Sequence, residues 1–320
     1  MRRDETATTH LKNIAQFRLR MPAPFDVART LVKPAGWHWS TLDEVFEDGT
    51  FWSAIYLGEI PIGLRLQAAG QSVSAAAFSP APLSSDQIIL LRKTVSAGLG
   101  AREDLAGFYQ FAAGDPILSI CVKDLHGMRV GTVDDLFGRV ILAILLQMAP
   151  LTRSTQMMRS LLEQYGNRVH FDSKVIILWP RPADLAQISP DELKREARLG
   201  YRATRLVQAA QYLTQNPMSL AALVKLPELE ALAQLRRIPG VGEYSAGIVY
   251  GKSSVPLDVW SVVVMSELLL GHTPENPRRE IESVTAKLKE RWGKWGWLAF
   301  AYVLNDLENL AGQYHLTRLH

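Results

Sequence analysis

Residues 235–262, LRRIPGVGEYSAGIVYGKSSVPLDVWSV, constrain the fold more than any other stretch, because Pro239-Gly240-Val241-Gly242 leaves almost no chain in which to reverse direction. The pattern predicts a helix over Glu228–Leu235, a tight turn, and a second helix over Glu243–Tyr250, which together make a helix-hairpin-helix. Gly240 and Gly242 carry no Cβ, so the turn can take positive φ and a foreign backbone can come close. The main-chain N–H groups of the hairpin and of the second helix's first turn are then unpaired and point outward, where they can hold an anion. A nucleic-acid phosphate fits that description, which makes Gly240, Val241, Gly242 and Glu243 candidate phosphate-binding residues. A plain corner between two helices is the alternative for such a turn met alone. Downstream, Asp258 precedes the apolar run Val259–Leu270 and reads as a helix N-cap.

The remaining chain bounds these readings. At 320 residues, 48% hydrophobic and 21% charged, it can bury a real core in two or three domains. A net charge of only +3 means that any nucleic-acid site must be a local patch. The single cysteine, Cys121, excludes a disulfide framework and a four-cysteine iron–sulfur cluster. Seven histidines without HExxH or paired-ligand spacing imply no metal site. The N-terminus lacks an apolar signal core, and the longest apolar run, Val140–Leu146, is too short to span a bilayer. The protein is expected in the cytoplasm, associated with the nucleoid if bacterial, and away from membranes.

Periodicity divides the chain. Three alternating runs between Phe51 and Phe78, broken at Gly58-Glu59 and Ala69-Gly70, predict antiparallel strands in a β-rich N-terminal domain. From Ser84 onward everything reads as helical: Ile88, Leu91 and Val95 recur on one face, and Leu136, Val140, Ala143 and Leu146 on another. Ser189-Pro190-Asp191-Glu192 is a capping box that marks one helix start.

With those residues in view, the hairpin, its Gly/Pro-rich loop and Asp258 resemble the signature of the helix-hairpin-helix DNA glycosylases. Asp115-Pro116, Gly127-Met128-Arg129-Val130 leading into Leu136–Gln147, and Leu199-Gly200-Tyr201-Arg202-Ala203 resemble stretches of the 3-methyladenine glycosylase II type. The resemblance covers about Leu105–Tyr302 well and the N-terminal third loosely. It implies an α+β, mainly α fold: a β-rich domain over 1–104, a helical barrel over 132–252 ending in the hairpin, and a second helical lobe from 105–131 and 253–320, with the active-site cleft between the lobes.

The resemblance also implies roles. Asp258 matches the catalytic Asp, whose carboxylate would stabilise the charge that builds on the sugar as an N-glycosidic bond breaks. The arginine common shortly after that Asp is replaced within Ser261-Val262-Val263. Tyr244 stands where bifunctional members carry a Schiff-base lysine, so no imine with the sugar is expected; Lys252 lies beyond the helix end and is a poor substitute. Tyr244 and Trp295 are the expected base-pocket aromatics; Trp292, Trp295 and Trp297 crowd the expected start of the last long helix, where core packing is the alternative for aromatics at such density. Gln147 and Met148 stand where the family inserts a wedge into the duplex, an ordinary core methionine being the favoured alternative for Met148. Arg198, Arg202, Arg205, Arg236 and Arg237 either contact phosphates or form a solvated face. No diffusible cofactor is implied; the hairpin often binds a monovalent cation through main-chain carbonyls, here near Pro239–Gly242. The expected activity is that of a monomeric, monofunctional glycosylase releasing alkylated purines from double-stranded DNA that carries a damaged base. A glycosylase for oxidised or deaminated bases and a catalytically silent hairpin DNA-binding module are the rival readings.

Overall fold

The structure is a computed structural model that describes residues 8–133, 135–251, 255 and 257–318. It is α+β and mainly helical, with a β-rich N-terminal part. The chain opens with β1 (Thr9–His10), β2 (Lys12–Arg20), a short α1 (Val27–Leu31), β3 (Val45–Glu47), β4 (Thr50–Leu57), β5 (Ile60–Ala69) and β6 (Ser72–Ser79). Strands β2 to β6 form one antiparallel sheet in the order β2-β6-β5-β4-β3. The predicted strand breaks fall at the β4–β5 and β5–β6 turns, where Gly58 and Gly70 take φ of +62° and +64°.

One face of this sheet buries Phe17, Phe51, Ile55, Leu64 and Leu66 beneath α2 (Ser85–Gly98), whose Leu91 and Val95 point inward. Helix α2 starts where Ser84 and Gln87 cap each other's backbone N–H groups. The opposite face is covered as well, which half-buried alternation does not foresee. Its cover is a hairpin of β7 (Asn167–Phe171) and β8 (Lys174–Leu178), and β1 adds to β7 in parallel. The expectation that everything beyond residue 84 is helical is therefore wrong here. The signal was local: Val169, Phe171, Ile176 and Leu178 alternate around Asp172-Ser173, whose φ of +47° and +60° make the two-residue turn favoured between twisted strands. The turn is pinned to the sheet by its Asp172 carboxylate, which accepts from Trp52 Nε1 at 2.7 Å and from Arg65 Nη1 at 3.0 Å. At Gly63 a Cβ would fall 2.6 Å from the Phe171 ring, so the bare backbone of β5 is what lets the hairpin close on the sheet.

The helices follow as α3 (Leu105–Ala112), α4 (Leu118–Asp124), α5 (Leu136–Leu145), α6 (Leu151–Tyr165), α7 (Pro182–Ala186), α8 (Pro190–Glu196), α9 (Arg202–Gln215), α10 (Leu220–Leu223), α11 (Glu228–Leu235), α12 (Glu243–Tyr250), α13 (Val259–Leu269), α14 (Pro277–Trp292), α15 (Gly296–Asn305) and α16 (Leu307–Ala311). Ser189 caps α8 as expected, its Oγ accepting from Glu192 N at 3.1 Å. Residues of α5 to α12 share one core built on Val140, Ile144, Leu161, Leu206 and Leu235. Residues of α3, α4, α13, α14 and α15 share another, built on Phe108, Leu118, Val264, Trp292 and Tyr302. None of the described helices is long and apolar enough to cross a membrane.

Phe171→Ala should open a cavity between the sheet and its hairpin and destabilise the protein by about 3–5 kcal/mol. Urea unfolding followed by circular dichroism measures this; a cost under about 1 kcal/mol would mean that the hairpin is not what covers that face.

Candidate functional site

The hairpin forms as predicted between α11 and α12, but its two glycines differ. Gly240 takes φ +82°, and a Cβ there would lie 2.9 Å from Arg205 Cβ, so this residue serves the close seating of the turn on α9. Gly242 is the N-cap of α12 in an extended conformation at φ −85°, correcting the expectation of a positive φ, and nothing lies within 4 Å of its would-be Cβ. Its bare side faces open space. Val241 is also corrected: its N–H donates to the Ile238 carbonyl at 3.0 Å and its side chain is buried in the helical core, so it offers no free donor. No side chain caps α12, and its first intrahelical bond runs from Ala246 N to Gly242 O at 2.8 Å. The N–H groups of Glu243, Tyr244 and Ser245 therefore have no partner within the helix and mark its positive end.

Helix α13 begins at Asp258, and the cap is reciprocal. Asp258 Oδ1 accepts from Ser261 N at 2.7 Å and Ser261 Oγ at 2.8 Å, while Asp258 N donates to Ser261 Oγ at 2.9 Å. Ser261 thus orients the carboxylate. From α12, the half-buried Tyr244 brings its hydroxyl within hydrogen-bonding reach of the same carboxylate; burial and then the Asp258 charge push the phenol well above its ordinary range. Tyr244 belongs to the helix that follows the hairpin, and Asp258 caps a helix of the other core. Their meeting joins the two. Lys252 lies outside the described residues.

Both line a cleft of about 2320 Å³ whose wall also carries Trp37, His38, Met148, Trp295 and Trp297. The three tryptophans near position 295 do not share the start of one long helix. Trp292 ends α14 and is buried, its Nε1 donating to Asp115 at 3.1 Å, whereas Trp295 lies in the short 3-10 turn before α15. Trp295 packs against Phe108 and Phe111, and Lys294 Nζ sits 4.7 Å over its ring. Trp297 stacks on Trp37 at 6.1 Å with 23° between the rings. Sequence reasoning missed Trp37 and His38. Their signal was the aromatic density of Gly36-Trp37-His38-Trp39, but the partner ring lies far away in the chain. Burial, with the positive charges of Arg159 and Lys33, lowers the His38 imidazole to about 4.

Gln147 and Met148 part company. The Gln147 amide is bonded to the hairpin and to Arg205, whereas Met148 stands 78% exposed on the cleft wall, contrary to the expectation of ordinary core packing for a methionine. Arg202 and Arg205 lie over the Tyr201 ring at 4.5 and 4.8 Å and brace Gln147, while Arg198, Arg236 and Arg237 are exposed. Other motifs prove structural. Asp115 accepts from Arg291 Nε at 2.6 Å and from Leu118 N at 3.0 Å; burial works against its charge, but these bonds and that to Trp292 hold its carboxyl below the usual range. Arg129 is buried and donates to the carbonyls of Gly100, Glu103, Pro22 and Pro24, tying the N-terminal segment to the helices. Among the described residues no group of three or more His, Cys, Asp or Glu is placed to hold a metal ion.

No family model matches the chain. A DNA-3-methyladenine glycosylase of Bacillus subtilis (strain 168) is 22% identical over 192 residues, which is 58% of this chain and 63% of the relative, so the chain spans less than two thirds of that protein's length. Among solved structures, a 3-methyladenine DNA-glycosylase from Archaeoglobus fulgidus superposes with a TM-score of 0.72 at 18% identity, covering 91% of this chain and 99% of the other. The 8-oxoguanine glycosylase/lyase of Clostridium acetobutylicum, in complex with double-stranded DNA containing cytosine opposite 8-oxoG, gives 0.71 at 16% identity, covering 94% and 98%. The fold is thus that of the helix-hairpin-helix DNA glycosylases, as the sequence resemblance implied.

His38 supplies a pH test of the cleft wall. A histidine whose folded pKa is lowered to about 4 leaves the unfolded chain holding more protons between pH 6.5 and 4, so its contribution to stability is lost as pH falls through that window. His38→Phe should flatten the acid limb, narrowing the difference in unfolding free energy between pH 7 and pH 4 by on the order of 2 kcal/mol relative to the parent. Parallel pH profiles for the two proteins would place His38 in solvent.

Proposed function

We propose that, on the fold of the helix-hairpin-helix DNA glycosylases, this chain is a monofunctional DNA glycosylase that turns a damaged base out of double-stranded DNA and hydrolyses its glycosidic bond. An alkylated purine is the substrate class it suits best. The observation that carries the reading is Asp258: a carboxylate whose rotamer is fixed by its own helix cap, at the Tyr244 hydroxyl, in a tryptophan-lined cleft beside a hairpin with an open backbone. A silent DNA-binding module needs only a short polar cap at the start of α13, and has no need for that cap to be a carboxylate set in the cleft beside a phenol.

As the bond from C1′ to the base breaks, its electron pair leaves with the base, and positive charge spreads over C1′ and the ring oxygen of the sugar. A fixed carboxylate beside that charge lowers the barrier without having to reorganise. Water then adds to C1′, and its proton is lost to Asp258 or to solvent. Tyr244 positions the carboxylate and offers a ring face to the displaced base, with Trp295 as the second aromatic wall. A purine already cationic from alkylation gains an attraction to such rings of about 1–2 kcal/mol and is a good leaving group, so few polar contacts to the base edge are needed. Tyr244 has no amine with which to form an imine. The N–H groups at Gly242, Glu243 and the following turn would receive a phosphate. Main-chain carbonyls of the 239–242 turn would hold the monovalent cation that the resemblance implies, since the Gly240 and Gly242 oxygens keep a second lone pair after their bonds to Gln147 and Ala246; its contribution is positive charge beside the phosphate.

Asp258→Asn keeps a residue able to cap α13, so it should fold, bind duplex nearly as the parent does, and lose base release by at least about 100-fold. Full activity in that variant would sink the mechanism. A Cβ at residue 242 meets nothing within 4 Å, so Gly242→Val should fold with a loss of no more than about 1 kcal/mol for the poorer cap of α12, while weakening every duplex by about tenfold or more, or about 1.4 kcal/mol. Unaltered affinity would show that the hairpin is not the anchor. On a panel of single-lesion duplexes, methylated DNA should release 3-methyladenine or 7-methylguanine and leave an intact abasic strand that breaks only after alkali, and borohydride should trap no adduct. Rapid release of 8-oxoguanine or uracil with none of methylated purines, or a trapped adduct, would move the protein to the rival class of glycosylase.

A further inference from the structure

Gln147 lies just past the end of α5, one residue before Met148, and bonds from two other elements converge on it. Its amide nitrogen donates to the Gly240 carbonyl at 2.8 Å and to Ser245 Oγ at 2.8 Å. Its amide oxygen accepts from Arg205, and its main-chain carbonyl accepts from the Tyr201 hydroxyl at 3.3 Å and from the Arg202 guanidinium. All these partners belong to the hairpin unit or to the start of α9 on which the hairpin rests. Gly240 itself seats against Arg205, the residue that holds the other end of the same amide. The hairpin, the start of α9 and residue 147 are therefore joined in one hydrogen-bonded cluster.

Met148 follows directly and is unlike an ordinary surface residue. Its φ is +51°, a conformation methionine seldom adopts, and its long apolar side chain is 78% exposed on the cleft wall with Arg278 Nη2 3.8 Å from its sulfur. A non-glycine residue stays in that region only where its surroundings over-determine it. The bonds on Gln147 supply that determination from one side.

We propose that Gln147 is a positioning residue that couples the hairpin to Met148. By tying Gly240 and Ser245 to the chain immediately before Met148, it sets the direction in which that side chain enters a duplex whose phosphate the hairpin holds. Gripping the backbone and filling the gap left by a displaced base then become a single event. The inference rests on the glycosylase reading, and on Met148 being the group that enters.

The test uses the full-length protein and a duplex carrying 2-aminopurine beside a stable abasic analogue, so that displacement is read as a rise in fluorescence and binding separately as anisotropy. Met148→Ala and Gln147→Ala should each cut the rise about fivefold or more while changing affinity for undamaged duplex by less than about threefold, and the double variant should be no worse than either single. Gln147→Glu, which keeps an acceptor for Arg205 but has no donor for Gly240, should follow Gln147→Ala. Ser245→Ala, which removes one of the two bonds made by the amide nitrogen, should fall between that variant and the parent, and it serves as the readout if Gln147→Ala does not fold. A parental fluorescence rise in Gln147→Ala, additive losses in the double variant, or a fall in affinity as large as that of Gly242→Val would each overturn the coupling. If the parent itself neither raises the fluorescence nor releases any base, the glycosylase reading fails; if the parent does both and Gln147→Ala matches it, only the coupling fails.

Discussion

The cap of α13 is the interaction on which the site depends. A carboxylate in a cleft walled by indole rings holds one position only if its oxygens are fixed, and the first turn of a helix supplies N–H groups at the end where an anion is favoured. Helix α13 cannot shift to relax that bond, because Val262, Val264, Met265 and Leu268 bury it in the core it shares with α3, α4, α14 and α15. Tyr244 is equally fixed, since Ala246, Val249 and Tyr250 of its helix lie in the other helical core. The distance between carboxylate and phenol is thus set by how two separate cores face one another.

What holds them in register is the N-terminal part of the chain. Between α1 and β3 the backbone reaches each neighbouring core in turn: Ala35 N donates to Asn305 Oδ1 at 3.0 Å, Trp37 stacks on Trp297, Trp39 Nε1 donates to Gly98 O at 2.8 Å, and Thr41 Oγ1 donates to Ile177 O at 2.6 Å. Glu44 gathers the N–H groups of Trp39, Ser40 and Thr41 onto one carboxylate, which burial pushes up to about 7 despite those bonds. The β-rich part is then more than an appendage, because the same strap delivers Trp37 and His38 to the cleft wall.

The motifs that suggested the family do different physical jobs. Gly242, Tyr244 and Asp258 face the cleft or open space and can meet a ligand. Asp115 and Arg129 are buried and bind their own chain, so they report the fold and say nothing direct about chemistry. Arg202 and Tyr201 stand between these groups, since what they hold is the residue before Met148.

Local chemistry was legible in the sequence because it acts over a few residues. The strand breaks at Gly58 and Gly70, the Ser189 cap, the hairpin around Gly240 and the helix start at Asp258 each follow from backbone preferences that need no distant partner. The β7–β8 hairpin was legible too, in the alternation around Asp172-Ser173, but was lost within a helical reading of the surrounding chain. Tertiary structure alone decided the rest. That Met148 is exposed while Gln147 is bound, that Tyr244 meets Asp258, and that Trp37 pairs with Trp297 all depend on contacts between residues far apart in the chain. The reason is that hydrogen bonds within a turn are specified by spacing, whereas burial and cross-core contacts are specified by how whole elements pack, which no short window of sequence contains.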